Sequence, residues 1–294
     1  MGFIENNNIV IGGHIGFSKT IFPTAMEASE YNMESFQFFL GNPKSFTRQR
    51  LSKDDIVKTF ELSKENNLSI FSHYPYTASL NGSVASLAWN GDEEQDVKTS
   101  KILKELEFEI NTLAELSPKN GVVIHPGSFK KTNDGLETIS KSINKINFKD
   151  NSKLLLENCA GEGSKLCKNF QELSKVFEGI DSTKKDNVGV CIDTAHIWGA
   201  GLFNLSKKDE IDKLFYEFDK HIGLDKFNLL HLNDSLVPLG SKKDRHECIC
   251  CGHIWKEDNT SLKYLLTKCS ENKIPVVLET ADVLGDLHTI DKFN

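Results

Sequence analysis

No stretch of this chain is apolar enough for long enough to cross a bilayer. Its longest apolar runs, such as Val276-Val277-Leu278, fall far short of the ~20 residues a spanning helix needs. The first ten residues, MGFIENNNIV, lack a basic segment leading into an apolar one, so no secretory signal is visible. No Pro/Gly/Ser-rich linker, low-complexity block or repeat divides the 294 residues, and a single domain over 1–294 is expected. Arginine is scarce: only Arg48, Arg50 and Arg245 occur, against an excess of lysine. Positive charge is short overall, with a formal net charge of -7, so no general basic face for nucleic acid is implied. The seven cysteines are odd in number and two, Cys250 and Cys251, are adjacent; this argues against a secreted disulfide framework. The expectation is a soluble intracellular protein, of cytoplasm or nucleus, with no membrane partner.

The 38% hydrophobic content suffices for one large core. Short apolar runs, often β-branched, recur at 9–11, 35–40, 68–72, 121–124, 153–156, 188–192, 228–230 and 274–278. Between them lie polar stretches with helical apolar spacing. The clearest is 99–116, which places Ile102, Leu103, Leu106, Ile110, Leu113 and Leu116 on one stripe; another is 261–269. Eight strands alternating with helices predict a parallel (β/α)8 TIM barrel, with a doubly wound open sheet as the competitor. The polar residues decide between them. Strand after strand ends in a histidine or a carboxylate: His73, His125, Glu157, Asp193, His231 and Glu279. In a barrel all carboxyl ends face one central mouth; in an open sheet they would be strung along an edge.

His196, three residues after Asp193, and the loop Asp244-Arg245-His246 raise the set to five histidines and four carboxylates. Imidazole and carboxylate are the ligands of catalytic zinc. Nine are too many for one ion, but with a bridging carboxylate they suit a cluster of three. Three Zn²⁺ would carry +6 and bring the formal charge from -7 to -1. An extended loop would put Asp244 and His246 on one side and Arg245 on the other. Each residue also has a plainer reading. Asp193 would serve as a helix cap, Asp244 and Arg245 as a surface pair, and any one histidine as a structural residue. The specificity lies in the set.

These residues closely resemble the endonuclease IV family of apurinic/apyrimidinic endonucleases. The resemblance runs from about Val10 to Glu279. It rests on Gly13-His14, His125-Pro126-Gly127-Ser128, Glu157-Asn158 with Ala160-Gly161 and Gly163-Ser164, residues 188–196, His231-Leu232-Asn233-Asp234, Asp244-Arg245-His246 and Glu279-Thr280. It implies three zinc ions: the first held by His73, His125 and Glu157, the second by Glu157, Asp193, His231 and Glu279, the third by His196, Asp244 and His246. Glu157, Asp193 and Glu279 are the implied catalytic carboxylates. Paired ions lower the pKa of a water between them, Glu279 would orient that water or take its proton, and the third ion would stabilise the leaving 3′ oxygen. The implied reaction is hydrolysis 5′ to an abasic site in double-stranded DNA, leaving a 3′-hydroxyl, with cleaning of blocked 3′ ends by the same chemistry.

The resemblance also implies DNA contacts from Asn42, Lys44 and Tyr76, with the abasic nucleotide swung out of the stack, and a monomer as the working unit. Lys44 and Phe46 stand where the family usually has arginine and tryptophan; lysine lacks the planar fork of arginine. The segment Cys248-Ile249-Cys250-Cys251-Gly252-His253 stands where the family has a glycine-rich stretch, either as an added thiolate metal site or as a packed or exposed reduced loop. Two other functions compete: a sugar isomerase or epimerase, and a non-enzymatic barrel. His196 with Asp244 and His246 favours the hydrolase, because an isomerase has no need of a third ion.

Overall fold

The computed structural model describes residues 2–75 and 93–293, with side chains from 101 onward in the second stretch. Its strands are β1 (Ile11–His14), β2 (Ser35–Phe38), β3 (Ser69–His73), β4 (Asn120–Ile124), β5 (Leu154–Glu157), β6 (Val188–Asp193), β7 (Phe227–Leu232), β8 (Asp234–Ser235), β9 (His246–Glu247) and β10 (Val276–Leu278). Helices α1 (Phe3–Asn6), α2 (Phe22–Glu30), α3 (Lys53–Glu65), α4 (Glu93–Leu116), α5 (Thr132–Ile143), α6 (Phe170–Glu178), α7 (Thr194–Ala200), α8 (Lys208–His221), α9 (Thr260–Glu271) and α10 (Val283–Asp291) lie between and around them. The parallel strands close in the order β1-β10-β7-β6-β5-β4-β3-β2, and β8 pairs with β9 as a separate antiparallel ribbon. The barrel therefore displaces the open-sheet alternative. All eight expected strand runs are strands. The first shifts from 9–11 to Ile11–His14, because apolar periodicity does not register glycine. Gly12 must be glycine: a Cβ there would lie 1.7 Å from the Ser35 carbonyl oxygen of β2.

Two apolar layers follow from the strand pleat, which sends alternate side chains to opposite faces. Outward residues such as Val122, Leu156, Val190 and Leu230 join the helices in one buried cluster. The predicted stripe of α4 packs there, with Leu106, Ile110, Leu113 and Leu116 at 0% exposure. Inside the barrel a separate plug forms from Phe71, Val123, Leu155, Cys191, Leu229 and Val277. Each of these stands two residues before one of the six polar strand-end residues named above. The period of two thus lifts His73, His125, Glu157, Asp193, His231 and Glu279 onto the next layer up, inside the mouth.

Candidate metal centre

Glu157 stands at the middle of that layer. Its Oε2 lies 3.1 Å from His73 Nε2 and 2.8 Å from His125 Nε2. Its Oε1 lies 3.1 Å from His231 Nδ1 and 3.5 Å from His196 Nδ1. His231 Nδ1 is also 3.0 Å from Glu279 Oε2. Toward the rim, Asp244 reaches His196 Nε2 and His246 Nε2, each at 3.1 Å, and His246 Nε2 is 3.5 Å from Asp193 Oδ2. Ligand atoms within 4.8 Å of one another form three groups: His73, His125 and Glu157; Glu157, Asp193, His231 and Glu279; and Asp193, His196 and His246. The first two coincide with the sets the resemblance implies. In the third, Asp193 joins the two histidines, while Asp244 spans both imidazoles from the solvent side.

Neutral groups orient these side chains. His73 Nδ1–H donates to the Tyr74 carbonyl at 2.7 Å and His196 Nδ1–H to the Asn158 carbonyl at 2.8 Å. A carbonyl only accepts, so each bond leaves Nε2 as the nitrogen facing the centre. Asp193 fills two roles at once. Its Oδ1 caps α7 by accepting the His196 N–H at 2.8 Å, and its Oδ2 accepts from Asn233 Nδ2 at 2.7 Å. The cap reading is met, and because one carboxylate has two oxygens the same side chain also lies in two of the ligand groups. Asp244 is no surface pair with Arg245: its carboxylate faces the two histidines while Arg245 is exposed.

Burial works against the charged forms of Glu157 and Glu279. The neighbouring imidazoles, His125 and His231 at Glu157 and His231 at Glu279, still hold both carboxyls well below the usual range. Burial likewise opposes protonation of His196, His231 and His246. Even so, Asp193, Asp244 and Glu157 raise His196, and Cys191, Glu279 and Glu157 raise His231. His246 is raised to about 9, chiefly by Asp193 and Asp244. At His125 and His14 burial prevails, lowering both, His14 to about 4. Carboxylates that draw positive charge onto the neighbouring imidazoles fit a cation. The residues fit zinc on a second count. The Nε2 atoms of His196 and His246 are buried and face Asp244 oxygens at 3.1 Å, within ion-pair range but without hydrogen-bond alignment, so nitrogen and oxygen converge on one corner. Metal uptake should therefore expel protons. Calorimetric zinc titrations of metal-free protein near pH 7, in buffers of different protonation enthalpy, should show more than one proton leaving per chain. Affinity should climb as pH rises toward 9; uptake with no proton release counts against this charge state.

Asn42 and Lys44 are exposed on the loop after β2, at the same end of the barrel; Tyr76 lies outside the described residues. Phe46 is half-buried and packs against the core. Two contributors escape a reading by sequence pattern. Arg48 is buried, and its guanidinium donates to the carbonyls of Asn42, Ser45 and Phe46, pinning the loop from beneath. The other is Gln37 of β2, whose amide enters the centre itself. The cysteine loop is organised by Asp234, which accepts from the N–H groups of Ser235, Gly252 and Ile254 at 2.7, 3.1 and 2.9 Å. Its thiols are free, and among the described residues they join no metal-binding group.

A closed parallel barrel with histidines and carboxylates gathered at its carboxyl mouth defines a metal-binding TIM barrel, and residues 26–281 match the xylose isomerase-like TIM barrel family. The chain is 36% identical over 284 residues to a probable endonuclease 4 of Clostridium botulinum, covering 93% of each chain. It is 33% identical to a probable endonuclease 4 of Alkaliphilus oremlandii, covering 93% of this chain and 92% of that one. The chain belongs to the endonuclease IV family. The crystal structure of endonuclease IV from Thermus thermophilus shares the fold at a TM-score of 0.77 and 24% identity, over 95% of this chain and 97% of that one. A D-tagatose 3-epimerase-like protein shares it more distantly, at a TM-score of 0.61 and 18% identity over 95% of each chain. No helix among the described residues is long and apolar enough to cross a membrane.

Proposed function

We propose that this chain is a zinc-dependent DNA repair hydrolase that cuts the phosphodiester bond 5′ to an abasic site, leaves a 3′-hydroxyl and clears blocked 3′ ends. The whole chain acts as one catalytic domain, as an intracellular monomer. The observation that carries this reading is the merging of three ligand groups through Glu157 and Asp193 at one mouth. A centre that stabilises several phosphoryl oxygens at once suits phosphodiester hydrolysis, and the His196–Asp244–His246 corner exceeds what a sugar epimerase needs. Zinc, when bound, supplies Lewis acidity and a water acidic enough to ionise near neutral pH.

The remaining steps fall to the residues. Glu279, held ionised beside His231, is able to orient a water and take its proton as the oxygen bonds to phosphorus and the P–O3′ bond breaks. That proton, relayed through solvent, ends on the leaving oxygen. Asp244 and His246, at 27% and 25% side-chain exposure, are the most solvent-exposed members of the set, against 15% for His125 and 0–8% for Glu157, Asp193, His231 and Glu279. This supports placing the DNA phosphate at the outer corner and the water deeper. Exposed Lys44, Lys242, Lys243 and Arg245 around the mouth supply local positive charge that the net charge hides.

The test is incubation with an abasic-site duplex, with and without chelator, and with His196→Ala. The wild type should incise on the 5′ side only when metal is present. His196→Ala should lower kcat by about 10²-fold, the scale of losing one charge-stabilising group, while DNA binding changes little. Incision that survives complete removal of metal, or a variant that loses binding and keeps kcat, would sink the reading.

A further inference from the structure

The ring of side chains around the mouth contains one neutral amide from β2 that touches the centre on three sides. Gln37 is fully buried. Its Nε2 is 2.6 Å from Glu279 Oε1 and 3.3 Å from His14 Nδ1, and its Oε1 is 2.9 Å from His231 Nε2. The contact with Glu279 settles which way the amide points. An ionised carboxylate only accepts, so the NH2 end must face Glu279 and the carbonyl end must face His231. His231 Nε2 must then carry a proton to donate. That leaves Nδ1 as the nitrogen available to a metal, and Nδ1 is the atom that sits 3.1 Å from Glu157 and 3.0 Å from Glu279.

The other oriented histidines make the comparison. His73 and His196 have their tautomers set by main-chain carbonyls, which no substitution removes. His231 relies on a side chain of another strand, and so does Glu279. We propose that Gln37 is a positioning residue for the second ligand group: its carbonyl selects Nδ1 of His231 as the ligating atom, and its amide nitrogen fixes one oxygen of Glu279. One uncharged side chain thereby holds two of the four members of that group without adding charge to a site already rich in carboxylates. His14 supports the amide from behind: its Nδ1 accepts the second N–H of Gln37, and its ring packs on Phe39 with centroids 4.7 Å apart.

This inference rests on the metal-centre reading, and the experiment separates the two. Zinc-loaded wild type, Gln37→Leu and Gln37→Glu are compared for zinc affinity, by competition with a chromophoric chelator, and for kcat, KM and the kcat–pH profile on an abasic duplex. Gln37→Leu removes all three bonds, to His231, Glu279 and His14, at similar size. It should weaken one class of zinc site by about 10–100-fold, the usual effect of losing a partner that orients a metal ligand, and lower kcat with KM unchanged. Gln37→Glu still accepts from His231 but cannot donate to Glu279 and sets a like charge beside it. It should keep more of the zinc affinity than Gln37→Leu, and its acid limb of kcat should move to higher pH, because a neighbouring negative charge raises a carboxyl pKa.

Full zinc affinity together with unchanged kcat in Gln37→Leu would overturn the assignment. If that variant does not fold, Gln37→Glu with an unmoved pH profile and unchanged affinity does the same. A wild type that binds zinc yet leaves the abasic duplex intact defeats the functional reading alone, and the affinity comparison still decides the role of Gln37.

Discussion

Glu279→Gln keeps the fold and lowers incision of an abasic duplex by about 10²–10⁴-fold, the range expected when a positioned proton acceptor is lost. The fold survives because the substitution is isosteric and the main chain at 279 stays anchored by its N–H donating to Asn233 Oδ1 at 3.1 Å. Chemistry fails because the carboxylate is the functional part. Its Oε1 accepts from Gln37 and its Oε2 lies beside His231 Nδ1. An amide in that place has half the accepting capacity, no charge, and an NH2 group that must face either the NH2 of Gln37 or the cation side of His231. Steady-state kinetics with the zinc content measured in parallel checks this. Near-normal kcat at full zinc occupancy would remove Glu279 from its role.

Glu157→Ala should be the more damaging change, because it acts on metal retention, stability and activity together. Glu157 belongs to two of the three ligand groups and lies 2.8–3.5 Å from four imidazoles. Its removal dissolves the first group, thins the second and takes away the charge that offsets His231. The expected result is a protein that loses most of the zinc the wild type holds, incises at background rate, and loses about 3–5 kcal/mol of stability, the scale of breaking a buried ion pair on one side. Metal analysis and denaturant titration at fixed pH report the two effects separately. A variant that holds as much zinc as the wild type would show that Glu157 does not bridge.

The barrel and most of the mouth were legible because both depend on a short period. A parallel barrel strand must carry an apolar plug residue and, two positions on, the residue that faces the mouth. The pairs Phe71 and His73, Leu155 and Glu157, Cys191 and Asp193, and Leu229 and His231 repeat that rhythm in the chain as written. Asp244 and His246 obeyed the same period in a loop. Where the period was interrupted, so was the reading. β1 is half glycine, so its apolar signal sits ahead of the strand. The thiols of the cysteine loop look like ligands by spacing alone, but Cys251 is exposed and Asp234 and Asp286 account for the loop's N–H groups.

The linear chain already carries the inventory: eight strands, five histidines and four carboxylates spaced to reach one end, and membership in a family with a metal-dependent chemistry. Folding adds closure, the sharing of Glu157 and Asp193 between groups, and the amides that aim the ligands. Gln37 and Glu279 are 242 residues apart, and Arg48 grips its loop from inside the core. Glutamine and arginine are common, and nothing local marks these two. Their meaning is a distance and a direction, and those exist only once β1 has paired with β10 to seal the ring.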